Sequence, residues 1–144
     1  DEYDSLAVIA TVHPQPLARP TNDAEYRHHF RLLREGLRRW MDAQAQPQGM
    51  PPYRAFVAGV AAALDLVRER YQGDVLMVSS GGPISTAVGL LLSTPPQVTI
   101  DLNMRIRNSA VTELTFNPKR HTLVTYNSLP HLDGPEWQDW ITHA

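Results

Sequence analysis

From Val75 to Leu92 the chain runs from a short apolar stretch, through small residues, straight into a helix-like pattern. This passage limits the folds open to it more than any other segment does. Val75-Leu76-Met77-Val78 predicts a buried strand over 75–79, ending at Ser79-Ser80-Gly81-Gly82. Pro83 is expected as a first helical residue, where its missing N–H costs nothing. Ile84, Val88, Leu91 and Leu92 then repeat at helical spacing. A strand that turns directly into a helix aims free backbone N–H groups at one spot, and such a spot suits an anion such as phosphate.

The flanking sequence supplies helices before this passage and strands after it. Residues 4–12 have helical character and stop at His13-Pro14-Gln15-Pro16. Thr21-Asn22-Asp23 offers caps for a helix whose stripe is Tyr26, Phe30, Leu33, Leu37 and Trp40. A polar break over 44–52 precedes a second amphipathic helix carrying Phe56, Val60, Leu64, Val67 and Tyr71 on its inner face. Pro95 and Pro96 stop the helix that starts near Pro83, and the alternation of Val98, Ile100 and Leu102 suggests a strand over 97–102. Val111–Phe116 and Thr122–Tyr126, joined by Asn117-Pro118-Lys119-Arg120, read as an antiparallel hairpin. A short tail helix after Asp133-Gly134-Pro135 is expected to dock Trp137, Trp140 and Ile141 as packing anchors. The order of elements implies an α/β chain: a three-layer αβα sandwich on a mostly parallel sheet with an antiparallel edge hairpin, forming one domain over 1–144.

Several function classes are disfavoured. A net charge of −2 gives no global attraction to nucleic acid or anionic lipid. The apolar stretch at 87–92 is too short to span a bilayer. With no cysteine there is neither a disulfide nor a thiolate metal site. No lysine follows Gly81-Gly82 as a nucleotide-binding P-loop requires, and adjacent glycines do not make the spaced dinucleotide fingerprint. Val78 stands where the nucleophile elbow of serine hydrolases needs glycine, which weighs against Ser80 as an acyl-transfer nucleophile. His28 and His29 are helix neighbours on different faces and cannot share an ion as an i, i+4 pair can. Arg27, Arg31, Arg34 and Arg38 form a stripe interrupted by Glu35 and read as a solvated face.

At Val75–Gly82 the chain resembles the histidine phosphatase superfamily, the phosphoglycerate-mutase-like fold, in which an apolar strand ends in Ser-His-Gly-Gly before a helix. Arg107-Asn108-Ser109-Ala110-Val111-Thr112-Glu113-Leu114 is similar to that family's Asn-x-Ser-Val-Thr-x-Leu segment, and Asn127 to His131-Leu132 to its closing Asn-x-x-x-His-Leu. Tyr53–Leu66 looks like its helix before the motif strand, and Asp1-Glu2-Tyr3-Asp4 like its Glu-Phe-Asp turn. Two departures stand out. The family's nucleophile sits in an Arg-His-Gly on the first strand, and no Arg-His-Gly occurs in these 144 residues. Asp1 therefore reads as an internal point of a longer gene product or a processed end, with the missing strand expected before it. Ser80 occupies the place of the family's second active-site histidine.

The resemblance implies a phosphatase-type enzyme acting on phosphate monoesters through a phosphohistidine, with the nucleophile in the missing segment. Glu2 and Ser80 are its expected catalytic residues, and Ser80, Gly81 and Gly82 its phosphate-binding residues. Arg105 and Arg107 are weaker phosphate contacts, and His131 is expected to make a structural hydrogen bond. That chemistry needs no metal or organic cofactor. It implies a small phosphorylated substrate and a cytoplasmic setting, without nucleic acid or membrane as partner. The alternative is a catalytically weakened or inactive phosphate-binding relative, because a serine brings no charge where the family has a histidine. Hydrogen bonds to charged groups contribute about 1.5–3 kcal/mol, against about 0.5–1.5 for neutral ones.

Overall fold

A computed structural model of the chain describes residues 2–143, with side chains from residue 5 onward. The chain divides into two compact units, Asp1–Ala58 and Gly59–Ala144. Each is built from elements whose ends the sequence marks. Among the described residues no helix is long and apolar enough to cross a membrane.

The first unit holds α1 (Glu2–Ala10), α2 (Asp23–Met41) and the start of α3 (Tyr53–Arg70). Asn22 caps α2: its side-chain carbonyl accepts from the N–H of Ala24 at 3.1 Å and of Glu25 at 3.0 Å. Glu25 reaches back to the Thr21 N–H at 2.8 Å and hydroxyl at 2.9 Å, and the backbone bond chiefly holds its carboxyl below the usual range. α1 packs on α2 so closely that a Cβ at Gly36 would stand 2.5 Å from the Val8 carbonyl oxygen. Val8, Ile9 and Trp40 are buried here. The Trp40 indole donates to the Pro51 carbonyl at 3.0 Å and sits edge-on to Tyr53, so both its apolar body and its N–H are satisfied. The other end of the expected α2 stripe is open: Tyr26 and Phe30 are exposed. On the arginine face, Arg38 and Arg39 both bind Glu35 at 2.9 Å, and Arg38 binds Asp42. The Arg38 hydrogen bond, then that of Arg39, brings the Glu35 carboxyl down to about 2.

The second unit holds the rest of α3, then α4 (Gly81–Leu92), α5 (Pro96–Asn103), β1 (Val111–Asn117) and β2 (Arg120–Ser128). β1 and β2 form the expected antiparallel hairpin. Its turn is set by Asn117, whose side chain accepts from the N–H of Lys119 and Arg120 at 2.9 and 3.1 Å. Arg68 of α3, held by Asp65 at 2.9 Å, donates to the Pro118 carbonyl at 2.8 Å and ties the turn to the helix. α4 packs on α5 and on β2, burying Val88, Thr99 and Ile100. At the crossing a Cβ on Gly89 would stand 2.6 Å from the Thr99 hydroxyl.

Several expectations are corrected. The 75–79 run is not a buried strand: it belongs to no helix or sheet and is exposed, with Leu76 at 89% and Val78 at 88%. A strand requires a neighbour for its N–H and C=O groups, and no described residue supplies one. The mostly parallel sheet of a three-layer sandwich is accordingly not present among the described residues, where the hairpin is the one sheet. Segment 97–102 is helical rather than a strand. Pro95 and Pro96 start α5 there, and burial falls on the adjacent positions Thr99 and Ile100 rather than on alternate residues. α4 begins at Gly81, two residues before the expected Pro83, since proline is tolerated throughout a first helical turn. The tail is a 3-10 helix, Pro135–Trp140, and Trp140 does not dock: it is 68% exposed, its ring set edge-on to Trp137.

Candidate active site

Ser80 is the N-cap residue of α4, in extended conformation, and its hydroxyl makes no capping bond. The helix needs partners for its first N–H groups. Ile84 N–H already bonds the Ser80 carbonyl at 3.3 Å, and Pro83 has no N–H. The N–H groups of Gly81 and Gly82 thus remain, with no acceptor among the described residues. Three predicted residues, Ser80, Gly81 and Gly82, therefore present one hydroxyl and two amide donors at a helix N-terminus, where the dipole favours an anion. Gly81 is small for a reason: a Cβ there would stand 2.9 Å from the Asn103 side-chain oxygen and against Ile106. The start of α4 thus backs onto the end of α5 and the loop that follows it.

That loop carries Arg105 and Arg107, and the two motifs flanking the hairpin meet on it. The Asn127 side-chain oxygen accepts from the Arg107 N–H at 2.9 Å, and its amide donates to the Arg105 carbonyl at 2.7 Å. The Arg107 guanidinium donates to the Asn127 carbonyl. The Asn108 N–H donates to the Thr142 carbonyl at 2.9 Å, and its side chain reaches the Thr142 hydroxyl and the His143 carbonyl. The expected hydrogen bond of His131 is present, with Ser109 Oγ as partner at 3.0 Å. Below this knot the Tyr126 hydroxyl donates to the Leu102 carbonyl at 2.8 Å, and burial pushes its phenol up to about 12. Arg105 is exposed and has no ion-pair partner among the described residues.

The side chain of Glu2 lies outside the described residues; the residue itself belongs to α1 in the first unit. No cluster of three or more His, Asp or Glu among the described residues is placed to hold a metal ion. The sequence reading missed the role of Asn127. Two signals were available: its place at the head of the Asn-x-x-x-His-Leu segment, and an asparagine near a strand end, a residue type that tolerates the left-handed conformation it adopts here with φ 58°.

The geometry is a helix start whose first two amides have no acceptor among the described residues, braced by a loop that the Asn108 and Asn127 motifs pin down. The family model described as histidine phosphatase superfamily (branch 1) matches residues 21–129. The matched stretch contains Ser80–Gly82, Arg105, Arg107 and Asn127, while Glu2 and His131 fall outside it. No curated protein and no solved structure matches the chain. With three quarters of its length covered by the family model, the chain belongs to the histidine phosphatase superfamily.

Proposed function

We propose that this chain is part of a phosphatase-type enzyme that hydrolyses small phosphate monoesters through a phosphohistidine intermediate. The family match over 21–129 is the observation that carries this reading. The complete domain is then a three-layer αβα sandwich, and the 144 residues are its C-terminal part. The nucleophilic histidine belongs to a strand outside these residues. Two features support that assignment: the sequence contains no Arg-His-Gly, and the apolar run Val75–Val78 is exposed and lies outside any sheet, with its backbone open to a further strand.

In this reading the histidine attacks phosphorus in line. The Gly81 and Gly82 amides and the Ser80 hydroxyl hold the equatorial oxygens, where charge builds up in the transition state. Glu2 protonates the leaving alcohol and then activates water for hydrolysis of the phosphohistidine. None of these steps uses a metal or an organic cofactor, and the setting is cytoplasmic.

A second reading is favoured by Ser80 itself. Without the charge of the family's second histidine, the site becomes that of a weakened or inactive relative that binds phosphorylated ligands. Turnover of a generic phosphate monoester by the protein as expressed from its gene, beside Ser80→Ala and Ser80→His, separates the two. The enzyme reading expects wild-type turnover, slowed roughly two- to tenfold by Ser80→Ala, the effect of one neutral hydrogen bond. An inert wild type that gains activity with Ser80→His supports the binding relative instead.

A further inference from the structure

Asn127 bonds the Arg105–Arg107 loop from three directions. Its side-chain oxygen takes the Arg107 N–H at 2.9 Å, its amide gives to the Arg105 carbonyl at 2.7 Å, and its backbone carbonyl takes the Arg107 guanidinium. The same stretch of chain supplies Asn103 and Ile106, against which Gly81 packs. We propose that Asn127 is a positioning residue that sets this loop beside the start of α4, so that Arg105 takes an oxygen of a phosphate held by Ser80, Gly81 and Gly82. The inference rests on the phosphate-site reading above and adds to it which cation serves the site and what holds that cation in place.

Residue type supports the assignment. Position 127 has φ 58°, a conformation open to glycine and asparagine at low cost. Of these two, asparagine alone carries an acceptor and a donor on one short side chain. Aspartate would keep the bond from the Arg107 N–H and set a carboxylate against the Arg105 carbonyl. The Arg107 guanidinium is already committed to the Asn127 carbonyl, whereas Arg105 is exposed without an ion-pair partner among the described residues. Arg105 is therefore the cation of the loop left for a ligand.

The test titrates inorganic phosphate into the whole chain by calorimetry, with the arginine Nε–Hε resonances followed by NMR. Asn127→Gly keeps the backbone conformation and removes the clamp. It is expected to weaken phosphate about tenfold and to abolish the phosphate-induced shift of the Arg105 resonance while far-UV circular dichroism stays native. Arg105→Gln is expected to weaken phosphate in the wild-type background and to add almost nothing in the Asn127→Gly background, a coupling that a merely structural role would not produce. Asn127→Asp serves as the second variant should the glycine variant not fold. Equal phosphate affinity in wild type and a folded Asn127 variant, or additive losses, would overturn the positioning role alone. Absence of phosphate binding by the wild type would overturn the phosphate-site reading and this inference with it. Loss of the fold in both Asn127 variants would assign the residue to stability and overturn the proposal.

Discussion

Two apolar segments of the second unit have opposite fates. In the hairpin β1–β2 each strand satisfies the other, alternate residues such as Leu114, Phe116 and Leu123 turn inward, and the turn is bonded to α3 through Arg68. In Val75–Val78 the side chains are at least as apolar, yet the run is unpaired, and Leu76 and Val78 are almost fully exposed. The hairpin carries its partner within a two-residue turn. The 75–78 run must find one from elsewhere. Apolar composition alone does not make a strand; the backbone groups must also be paired.

The sharpest way to break this comparison is to delete side chains in both environments. Ile100, 2% exposed, lies in the helix layer packed through α4 on β2. Ile100→Ala is expected to lower stability by about 2–5 kcal/mol, the usual cost of emptying a buried site of that size. Leu76→Ala, at an 89% exposed position, is expected to stay within about 0.5 kcal/mol. Urea denaturation of this chain measures both. A cost at Leu76 close to that at Ile100 would mean that the run is covered in solution and that the two regions are alike.

A smaller effect is expected in the hairpin turn. Asn117→Ala removes the acceptor for the Lys119 and Arg120 N–H groups while leaving both strands intact. The expected loss is about 1 kcal/mol, with faster hydrogen exchange at those two amides. An unchanged exchange rate would show that the turn is held by strand pairing and Arg68 alone.

The same contrast explains which parts of the molecule were legible in the sequence. The hairpin was, because alternation and an Asn-Pro turn are local signals that agree with each other. The turn into α4 at Ser80-Gly81-Gly82 was also legible to within two residues, because a helix start is decided by a few consecutive residues. Strand 75–79 was not, because pairing is a property of two segments and the sequence shows one. Helix α5 was misread because Val98, Ile100 and Leu102 alternate by chance, while the decisive features were Pro95-Pro96 and the Thr94–Thr99 hydroxyl pair at 2.9 Å. Asn127 was out of reach for a similar reason. Its partners Arg105 and Arg107 are about twenty residues upstream, and nothing in the spacing announces the clamp.

The finest test concerns how well the hairpin's inner face is covered, and His121 reports on it. This residue pairs with Phe116 across the strands, and its Nε2 is buried with no hydrogen-bond partner among the described residues. Burial is the main cause that lowers its pKa from 6.5; the positive charge of Arg68 adds to it and Asp65 offsets part. The sign of the pH dependence follows from proton binding. Between the lowered value and 6.5 the unfolded chain holds more protons than the folded one, so acid favours unfolding there. The contribution to stability is complete above 6.5 and is lost as pH falls through the lowered value. His121→Gln is expected to flatten that part of the stability profile, measured by urea denaturation at pH 7.5 and in steps of pH below it. Arg68→Met removes the nearby positive charge, and an NMR titration is expected to show His121 moving only part of the way back toward 6.5, since burial remains the larger cause. A complete return would mean that charge, not cover, sets the titration. The inner face of the hairpin would then be as open to water as the 75–78 run, and the distinction between the two segments would rest on strand pairing alone.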